Sequence, residues 1–229
     1  LSLSPGPAPL AYNEAFRENA NMWRITDDFW DQWELLYEMF ERCEQWAQFV
    51  EVGSWPDCDM LPLGHIGIRS VDGGGSDRWT RFTQDEQLTM MTLWSIFRSP
   101  LLFGGELRDN DAWTMSLLTN DEVLEANRSG RYARQVYRDE YDRIVWMSEH
   151  SGTGEYYVAL FNASEDPALV RVSLEQLGLT GVFRLRNLWE RGDVGMVNYD
   201  IDVKIPAHGA RFYKLTRLDY DEVVVRAKW

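Results

Sequence analysis

The hydrophobic pattern of the chain changes near residue 130, and this change constrains the fold more than any other feature. Upstream of it, short apolar segments alternate four times with helical patterns, as in a parallel sheet with right-handed crossovers. Downstream, seven segments of alternating apolar and polar residues recur about every ten residues between turns, which predicts an antiparallel sandwich. The seven predicted strands are "RQVYRD", "RIVWMSE", "EYYVALF", "ALVRVSL", "VFRLRNLW", "YDIDVKI" and "GARFYKL". We therefore predict domains at residues 1–130 and 131–216, and a tail of unknown role at 217–229.

The first domain holds too few βα units to close a barrel by itself. A closed β/α barrel needs eight such units and roughly 250 residues. The domain is therefore either a small open sheet or the second half of a barrel. Its four strands are predicted from the segments "LSLS" at 1–4, "MWRI" at 22–25, a segment ending in "DMLPL" at 59–63, and "LLFGG" at 101–105.

Two helices of this domain have clear sequence signals. Apolar residues spaced by three and four predict a helix from Asp28 to about Phe49. The sequence "TQDE" at 83–86 is a capping box that opens a second helix, which runs to about Arg98. A glycine-rich loop at 71–78 lies between them, but no Lys-Ser/Thr follows it, so it does not predict a phosphate site.

Composition and charge exclude several classes of function. The net charge of −14 disfavours nucleic-acid binding. No apolar run approaches the roughly 20 residues that span a bilayer, so we expect no membrane insertion. The three histidines are dispersed, and Cys43 and Cys58 match no metal-ligand spacing. We therefore expect no metal and no cofactor, and two buried, reduced thiols.

Polar or small residues follow each predicted strand of the first domain. In β/α barrels the chemistry lies at the carboxyl ends of the strands, so these residues should meet at one rim. The neighbouring acids Asp27 and Asp28 could instead cap a helix, and Asp57 and Asp59 could bond to turn backbone. The rim residues are Ser4 after the first strand, Arg24 to Asp28 after the second, Asp57 to Met60 after the third, and Gly104 and Gly105 after the fourth.

Four motifs in order give the chain a family resemblance. The segments "ANMWRITDDFWDQW", "WPDCDMLPLG", "QDEQLTMMTLWSIFRSPLLFGGELR" and "NDEVLEANRSG" resemble glycoside hydrolase family 27, the retaining α-galactosidases and α-N-acetylgalactosaminidases. The later segment "IPAHGARFYKL" is similar to the end of the family's β domain. The resemblance implies an α/β fold, namely the second half of a (β/α)8 TIM barrel followed by an antiparallel β-sandwich. It also suggests a carbohydrate substrate and a secreted, periplasmic or lysosomal location.

The resemblance also implies roles for single residues. In the family pattern the acid/base Asp lies four residues after an Arg, which makes Asp28 the acid/base and Arg24 a ligand of sugar hydroxyls. The remaining residues assigned to substrate binding are Asp59, Met60, Ser4 and Trp23, with Asp27 and Asp57 as supporting residues. A cysteine, Cys58, replaces the usual proline, and we expect this change to loosen the turn.

One part of the family's site is missing from this sequence. The nucleophilic Asp of the family lies in a Lys-x-Asp pattern on the fourth barrel strand, and this chain contains no such pattern. We therefore expect the chain alone to be inactive, and we expect its partner to be the N-terminal half of the barrel. The oligomeric state stays open.

The substrate is less constrained than the reaction. The resemblance implies a retaining hydrolase that removes terminal α-linked galactose-type residues. Many α-galactosidases of the family carry a bulky Glu-Trp where this sequence has Ser4-Pro5, and the smaller pair could leave room for an N-acetyl group, as in an α-N-acetylgalactosaminidase. The Pro-rich segment "PGPAPL" departs from both familiar versions and could equally indicate a β-L-arabinopyranosidase on the same scaffold. A non-catalytic carbohydrate-binding protein is a further alternative, because the sandwich and the eleven tryptophans would also suit sugar binding.

Overall fold

The computed structural model describes residues 1–69 and 76–219. Most of the glycine-rich loop at 71–78 and the tail from residue 220 lie outside the described residues. The first half contains β1 (Ser2–Leu3), α1 (Asn13–Asn19), β2 (Met22–Arg24), α2 (Trp33–Trp46), β3 (Trp55–Asp57), β4 (His65–Ile66), β5 (Arg78–Trp79), α3 (Gln84–Phe97), α4 (Ala112–Leu118) and α5 (Asp121–Ser129). The second half contains β6 (Gly130–Arg138), β7 (Arg143–His150), β8 (Tyr156–Asn162), β9 (Ala168–Ser173), β10 (Phe183–Asn187), β11 (Gly192–Val197), β12 (Asp200–Ile205) and β13 (Ala210–Arg217).

Three short parallel strands form the sheet of the first half, in the order β1-β2-β3. The register places Arg24 of β2 opposite Asp57 of β3. The fourth strand, predicted at 101–105, is wrong as a regular strand, because this segment makes only one parallel bridge, between Leu61 and Phe103. Beyond the bridge the chain turns, and a Cβ on Gly105 would lie 2.3 Å from the carbonyl oxygen of Leu63.

The helix predicted from Asp28 begins five residues later, at Trp33. The residues before it are held by distant partners in place of helical hydrogen bonds. The amide of Phe29 donates to the Asp59 carboxylate, at 2.8 Å. The buried carboxylate of Asp31 accepts from the amide of Arg81, at 2.7 Å. Asp27 and Asp28 therefore do not cap this helix.

Helix α3 agrees with its prediction. The Thr83 side chain accepts from the amide of Glu86, and the Glu86 carboxylate accepts from the amide of Thr83, as the capping box requires. The helix ends at Phe97, with Arg98 as a left-handed C-cap. It is buried nearly all round, because it lies between the first-half core and the sandwich. Neither it nor any other helix among the described residues is long and apolar enough to cross a membrane.

The second half is an antiparallel sandwich that begins directly after α5, at Gly130. A six-stranded sheet in the order β11-β10-β13-β8-β7-β6 packs on the pair β12-β9. Alternate residues of β7 face opposite sides. Val145 and Met147 join the sandwich core, whereas Ile144 and Trp146 join the core shared with the first half. Strand β11 has no counterpart among the predicted strands.

Candidate active site

An arginine lies between two carboxylates at the carboxyl end of the parallel sheet. The Nη2 atom of Arg24 donates to Asp28 Oδ1 at 2.6 Å, and its Nη1 atom lies 3.3 Å from Asp59 Oδ2. The Arg24 and Asp59 side chains are only 15% and 16% exposed, whereas that of Asp28 is 75% exposed. Asp28 is thus held by its arginine while its carboxylate stays open to an incoming group.

The strands and the turn after them explain this placement. Because Arg24 ends β2 opposite Asp57, its guanidinium lies next to the turn that follows β3. In that turn Asp59 has a φ of 72°, a left-handed conformation that is unusual outside glycine. The amide of Asp59 donates to Asp57 Oδ1 at 2.9 Å. The buried Asp57 carboxylate thus stabilises the strained backbone that directs Asp59 toward Arg24.

Burial and charge shift two pKa values at this site. Burial alone lowers the pKa of Arg24, but the hydrogen bond to Asp28 and the charges of Asp59, Asp28 and Asp57 outweigh it and raise this pKa. Burial raises the pKa of Asp57 to about 6; the charge of Asp59 also raises it, while the hydrogen bond from the Asp59 amide and the Arg24 charge oppose the shift. The cluster therefore contains a permanent cation and a buried acid that titrates near neutral pH.

Cys58 is held through both its backbone and its side chain. Its amide donates to the hydroxyl of Ser99 at 2.9 Å, a bond that a proline could not make. Its thiol lies 3.6 Å from the Cys43 sulfur, and both thiols are buried and free, as predicted. Burial and the contact with Cys43 raise the pKa of the Cys58 thiol, which keeps it protonated.

Comparison with known proteins decides the family. The family model described as alpha galactosidase A matches residues 7–129, more than half of the chain. A second model, the alpha galactosidase C-terminal beta sandwich domain, matches residues 140–215. The chain belongs to glycoside hydrolase family 27. Its first half is therefore the second half of a (β/α)8 barrel, and its second half is the β-sandwich that follows the barrel in this family.

The relatives of this chain in family 27 are named for different activities. A β-L-arabinopyranosidase from Geobacillus stearothermophilus, solved in complex with arabinose, is 58% identical with a TM-score of 0.92, over 96% of this chain and 50% of that one. Alpha-galactosidase 2 from Arabidopsis thaliana is 29% identical over 86% of this chain and 47% of its own length. Alpha-galactosidase I from Mortierella vinacea is 19% identical with a TM-score of 0.75, over 90% of this chain and 55% of that one, and shares the fold. The chain thus spans about half the length of these family 27 relatives.

The other rim residues of this family 27 chain follow the ends of the strands. Met60 is half-buried, and a Cβ on Gly104 would lie 2.6 Å from its sulfur, so a larger residue at position 104 would displace the Met60 side chain. Ser4 is exposed at the end of β1. The loop after Ser4 turns back at Gly6, which has a φ of +77°, toward the carboxylate of Asp27. Asp27 in turn accepts from the amide of Asp28 at 3.2 Å.

Trp23 does not lie in this site, and its assignment to substrate binding is wrong. Its side chain is fully buried on the helix side of the sheet, where it stacks on Phe16 with ring centroids 5.7 Å apart. It also lies 5.9 Å from Trp46 of α2. Successive side chains of a strand point to opposite faces, so a rim position for Arg24 forces its neighbour Trp23 into the core.

Two contributors to the site were not assigned a role from the sequence. Ser99, which holds the Cys58 amide, lies within the quoted "RSPLLFGG" segment, so its position in a family motif was the available signal. The amide of Phe29, which donates to Asp59, has no sequence signal at all, because every residue other than proline carries such a donor. Within the described residues, no group of three or more His, Cys, Asp or Glu side chains could hold a metal ion.

Proposed function

We propose that this chain supplies the acid/base half of the active site of a retaining glycoside hydrolase. The observation that carries the proposal is the Arg24 guanidinium, which joins the open carboxylate of Asp28 to the held carboxylate of Asp59. Asp28 is the acid/base. Arg24 and Asp59 bind hydroxyls of the terminal sugar, and Asp57 holds the turn that presents Asp59.

The reaction proceeds by double displacement. A carboxylate supplied by other polypeptide attacks the anomeric carbon, while Asp28 gives its proton to the departing glycosidic oxygen. Asp28 then takes a proton from water as that water releases the sugar from the covalent intermediate. Such a mechanism needs the two carboxyl groups about 5 Å apart. The exposure of Asp28 supports this role, because a second carboxylate and a sugar have room to approach it.

The partner in this proposal is a polypeptide that supplies the first four βα units of the barrel. The length of the relatives supports it, because each of them is about twice as long as the part that this chain matches. The chain alone is then inactive, and mixing or co-expressing it with those four units restores hydrolysis. Hydrolysis by the purified chain alone would contradict this division of the site.

Among sugars with the galactose configuration, we favour a β-L-arabinopyranoside as substrate. This sugar has the ring configuration of an α-D-galactopyranoside but lacks the exocyclic CH2OH group. The identity of 58% to the Geobacillus arabinopyranosidase, against 29% to the Arabidopsis α-galactosidase, supports this choice. An α-galactoside is the second candidate, because the α-galactosidase family models match both halves of the chain.

A panel of aryl glycosides tests the proposal. The assembled enzyme is given p-nitrophenyl β-L-arabinopyranoside, α-D-galactopyranoside and α-N-acetylgalactosaminide, and kcat/KM is measured for each. We expect the arabinopyranoside to react fastest, with the first-formed sugar retaining its anomeric configuration by proton NMR. A faster α-galactoside would change the substrate but keep the mechanism, whereas inversion of configuration would overturn the mechanism itself.

A further inference from the structure

A cleft of about 630 Å³ lies between the two halves of the chain, away from the Arg24 cluster. One wall comes from α3 and α4, and the other comes from the turn between β10 and β11 and the start of β13. Its volume is within the range of small-molecule sites, and it could hold one or two sugar rings. Two tryptophans, Trp113 and Trp189, lie on its walls.

Both tryptophans are held in fixed positions by α3. The indole N–H of Trp113 donates to Gln87 at 3.0 Å, and the indole N–H of Trp189 donates to Thr92 at 2.9 Å. Both tryptophans pack against the core and are only partly buried, and within the described residues neither ring pairs with another aromatic ring. Trp23, by contrast, is fully buried and stacked. The exposed part of a rigid indole can bind the C–H face of a pyranose with little loss of conformational freedom.

Four charged side chains line the same cleft. Asp85 and Glu190 are acidic, and Arg191 and Arg211 are basic, so the lining charges cancel. Within the part of the chain that the structure describes, none of the four forms an ion pair. Arg191 donates to the carbonyl of Thr119 at 3.0 Å and Arg211 to that of Ala210 at 2.9 Å, which leaves further N–H donors on each guanidinium.

We propose that this cleft is a second carbohydrate-binding site for neutral oligosaccharides. Cancelled charge favours an uncharged ligand, and the carboxylates and guanidinium groups of the lining give both acceptors and donors for vicinal hydroxyls. The two indole rings of the same lining then bind the apolar face of the sugar. The site binds sugar without any chemical step, so it depends on neither the acid/base residue nor the missing half of the barrel.

Ligand-observed NMR on the purified chain tests the site. Saturation-transfer difference spectra and titrations are recorded with raffinose and with L-arabinose as probes. We expect saturation transfer to the sugar protons, and we expect Trp189→Ala to weaken binding about tenfold, as loss of a stacking ring should. Arg211→Gln, which keeps the fold because its side chain lies at the cleft wall, should weaken binding severalfold.

Two control variants separate this site from others. Trp79→Ala removes a different exposed indole, 47% exposed on β5, and should leave binding unchanged. Arg24→Gln removes the guanidinium proposed to bind sugar in the active site, and it should also leave binding to the cleft unchanged, which distinguishes the two sites. Absence of saturation transfer with both sugars overturns the proposal. It is equally overturned if a folded Arg211→Gln and Trp189→Ala both bind as the original chain does, or if binding is lost in a folded Arg24→Gln alone.

Discussion

The two halves of the chain bury polar residues of different kinds. In the half barrel the buried polar residues include three acids, Asp31, Asp57 and Glu86. In the sandwich the buried polar residues that the structure describes are uncharged, namely Ser148, Asn162 and Asn187. Burying an ionisable group costs stability unless hydrogen bonds and opposite charges offset the cost. The half barrel therefore carries this cost, whereas the described part of the sandwich avoids it.

This difference separates stability from chemistry along the chain. The sandwich has a core of its own, and its central strands are buried on both faces. The half barrel contains Asp59 in a strained left-handed conformation, which lowers stability, and a guanidinium shared by two carboxylates, which orients their charge. Variants of the exposed acid Asp28 should therefore change rate more than stability, and variants in the sandwich core should do the reverse.

The largest expected effect tests whether Asp28 of the half barrel acts in catalysis. In the assembled enzyme, Asp28→Asn should lower kcat/KM about 10³-fold for sugar leaving groups, the usual contribution of general acid catalysis. Aryl glycosides with good leaving groups should lose far less. The free energy of unfolding should hardly change, because the side chain is 75% exposed. Asp200→Asn, which removes a sandwich carboxylate paired with Arg171, is the matched control. Equal slowing of both substrate classes would remove Asp28 from the acid role.

The second-largest expected effect tests whether the sandwich core determines the stability of the chain. Leu160 is fully buried in the sandwich core, and Leu160→Ala should lower the free energy of unfolding by about 3 kcal/mol. Urea denaturation of the chain measures this. At temperatures where the variant is folded, kcat/KM of the assembled enzyme should be unchanged. Leu169→Ala, at a position 53% exposed on β9, is the control for loss of a leucine. A fall in kcat/KM of Leu160→Ala with an unchanged free energy of unfolding would contradict the assignment of stability to the sandwich.

A third effect depends on pH. Burial raises the pKa of Asp57 from 3.8 to about 6, so the folded chain holds this proton more tightly than the unfolded chain does. Below pH 3.8 the ionisation of Asp57 therefore does not lower the free energy of unfolding. As the pH rises toward 6, this ionisation lowers the free energy of unfolding by an increasing amount, to at most about 3 kcal/mol. Asp57→Asn removes this titration but keeps an oxygen to accept from the Asp59 amide. The unfolding free energy of the variant should therefore rise relative to that of the original chain between pH 4 and 7. If the difference in unfolding free energy between the two chains is constant across this range, Asp57 has no raised pKa.

The smallest effect concerns the anchor of the turn. Ser99→Ala leaves the buried Cys58 amide without its acceptor and should cost about 1–2 kcal/mol in unfolding free energy. Because this turn also positions Asp59, kcat/KM should fall severalfold. Ser95→Ala is the matched control, since Ser95 is equally buried but its hydroxyl has no hydrogen-bond partner in the described structure. Similar losses of unfolding free energy and of kcat/KM in the two variants would show that the hydrogen bond to the Cys58 amide does not stabilise the turn.

Local signals in the sequence predicted the parts of the fold that depend on neighbouring residues. The capping box of Thr83 and Glu86 depends on residues three apart, and the structure contains it. The end of the second predicted strand placed Arg24 to Asp28 at the rim, and the structure pairs Arg24 with Asp28 there. The alternation after residue 130 predicted seven of the eight sandwich strands. Strand β11 was missed because its glycines and exposed residues weaken the pattern.

The features that were not predicted depend on residues distant in the chain. Helix α2 begins late because Asp59, thirty residues away, takes the amide of Phe29. The Cys58 turn is firm because Ser99, forty-one residues away, accepts its amide hydrogen. The burial of Trp23 follows from which face of β2 meets the helices, and a three-residue strand has too few positions to show this by alternation.

The face of the sugar ring that azide attacks tests the role of Asp28 most directly. The assembled Asp28→Ala variant is given an aryl glycoside whose leaving group needs no proton, together with sodium azide. The small anion should enter the space of the lost carboxylate and attack the covalent intermediate from that face. We predict faster turnover and a glycosyl azide with the same anomeric configuration as the substrate, as NMR would show. A glycosyl azide of the opposite configuration would make Asp28 the nucleophile and contradict this account of the site.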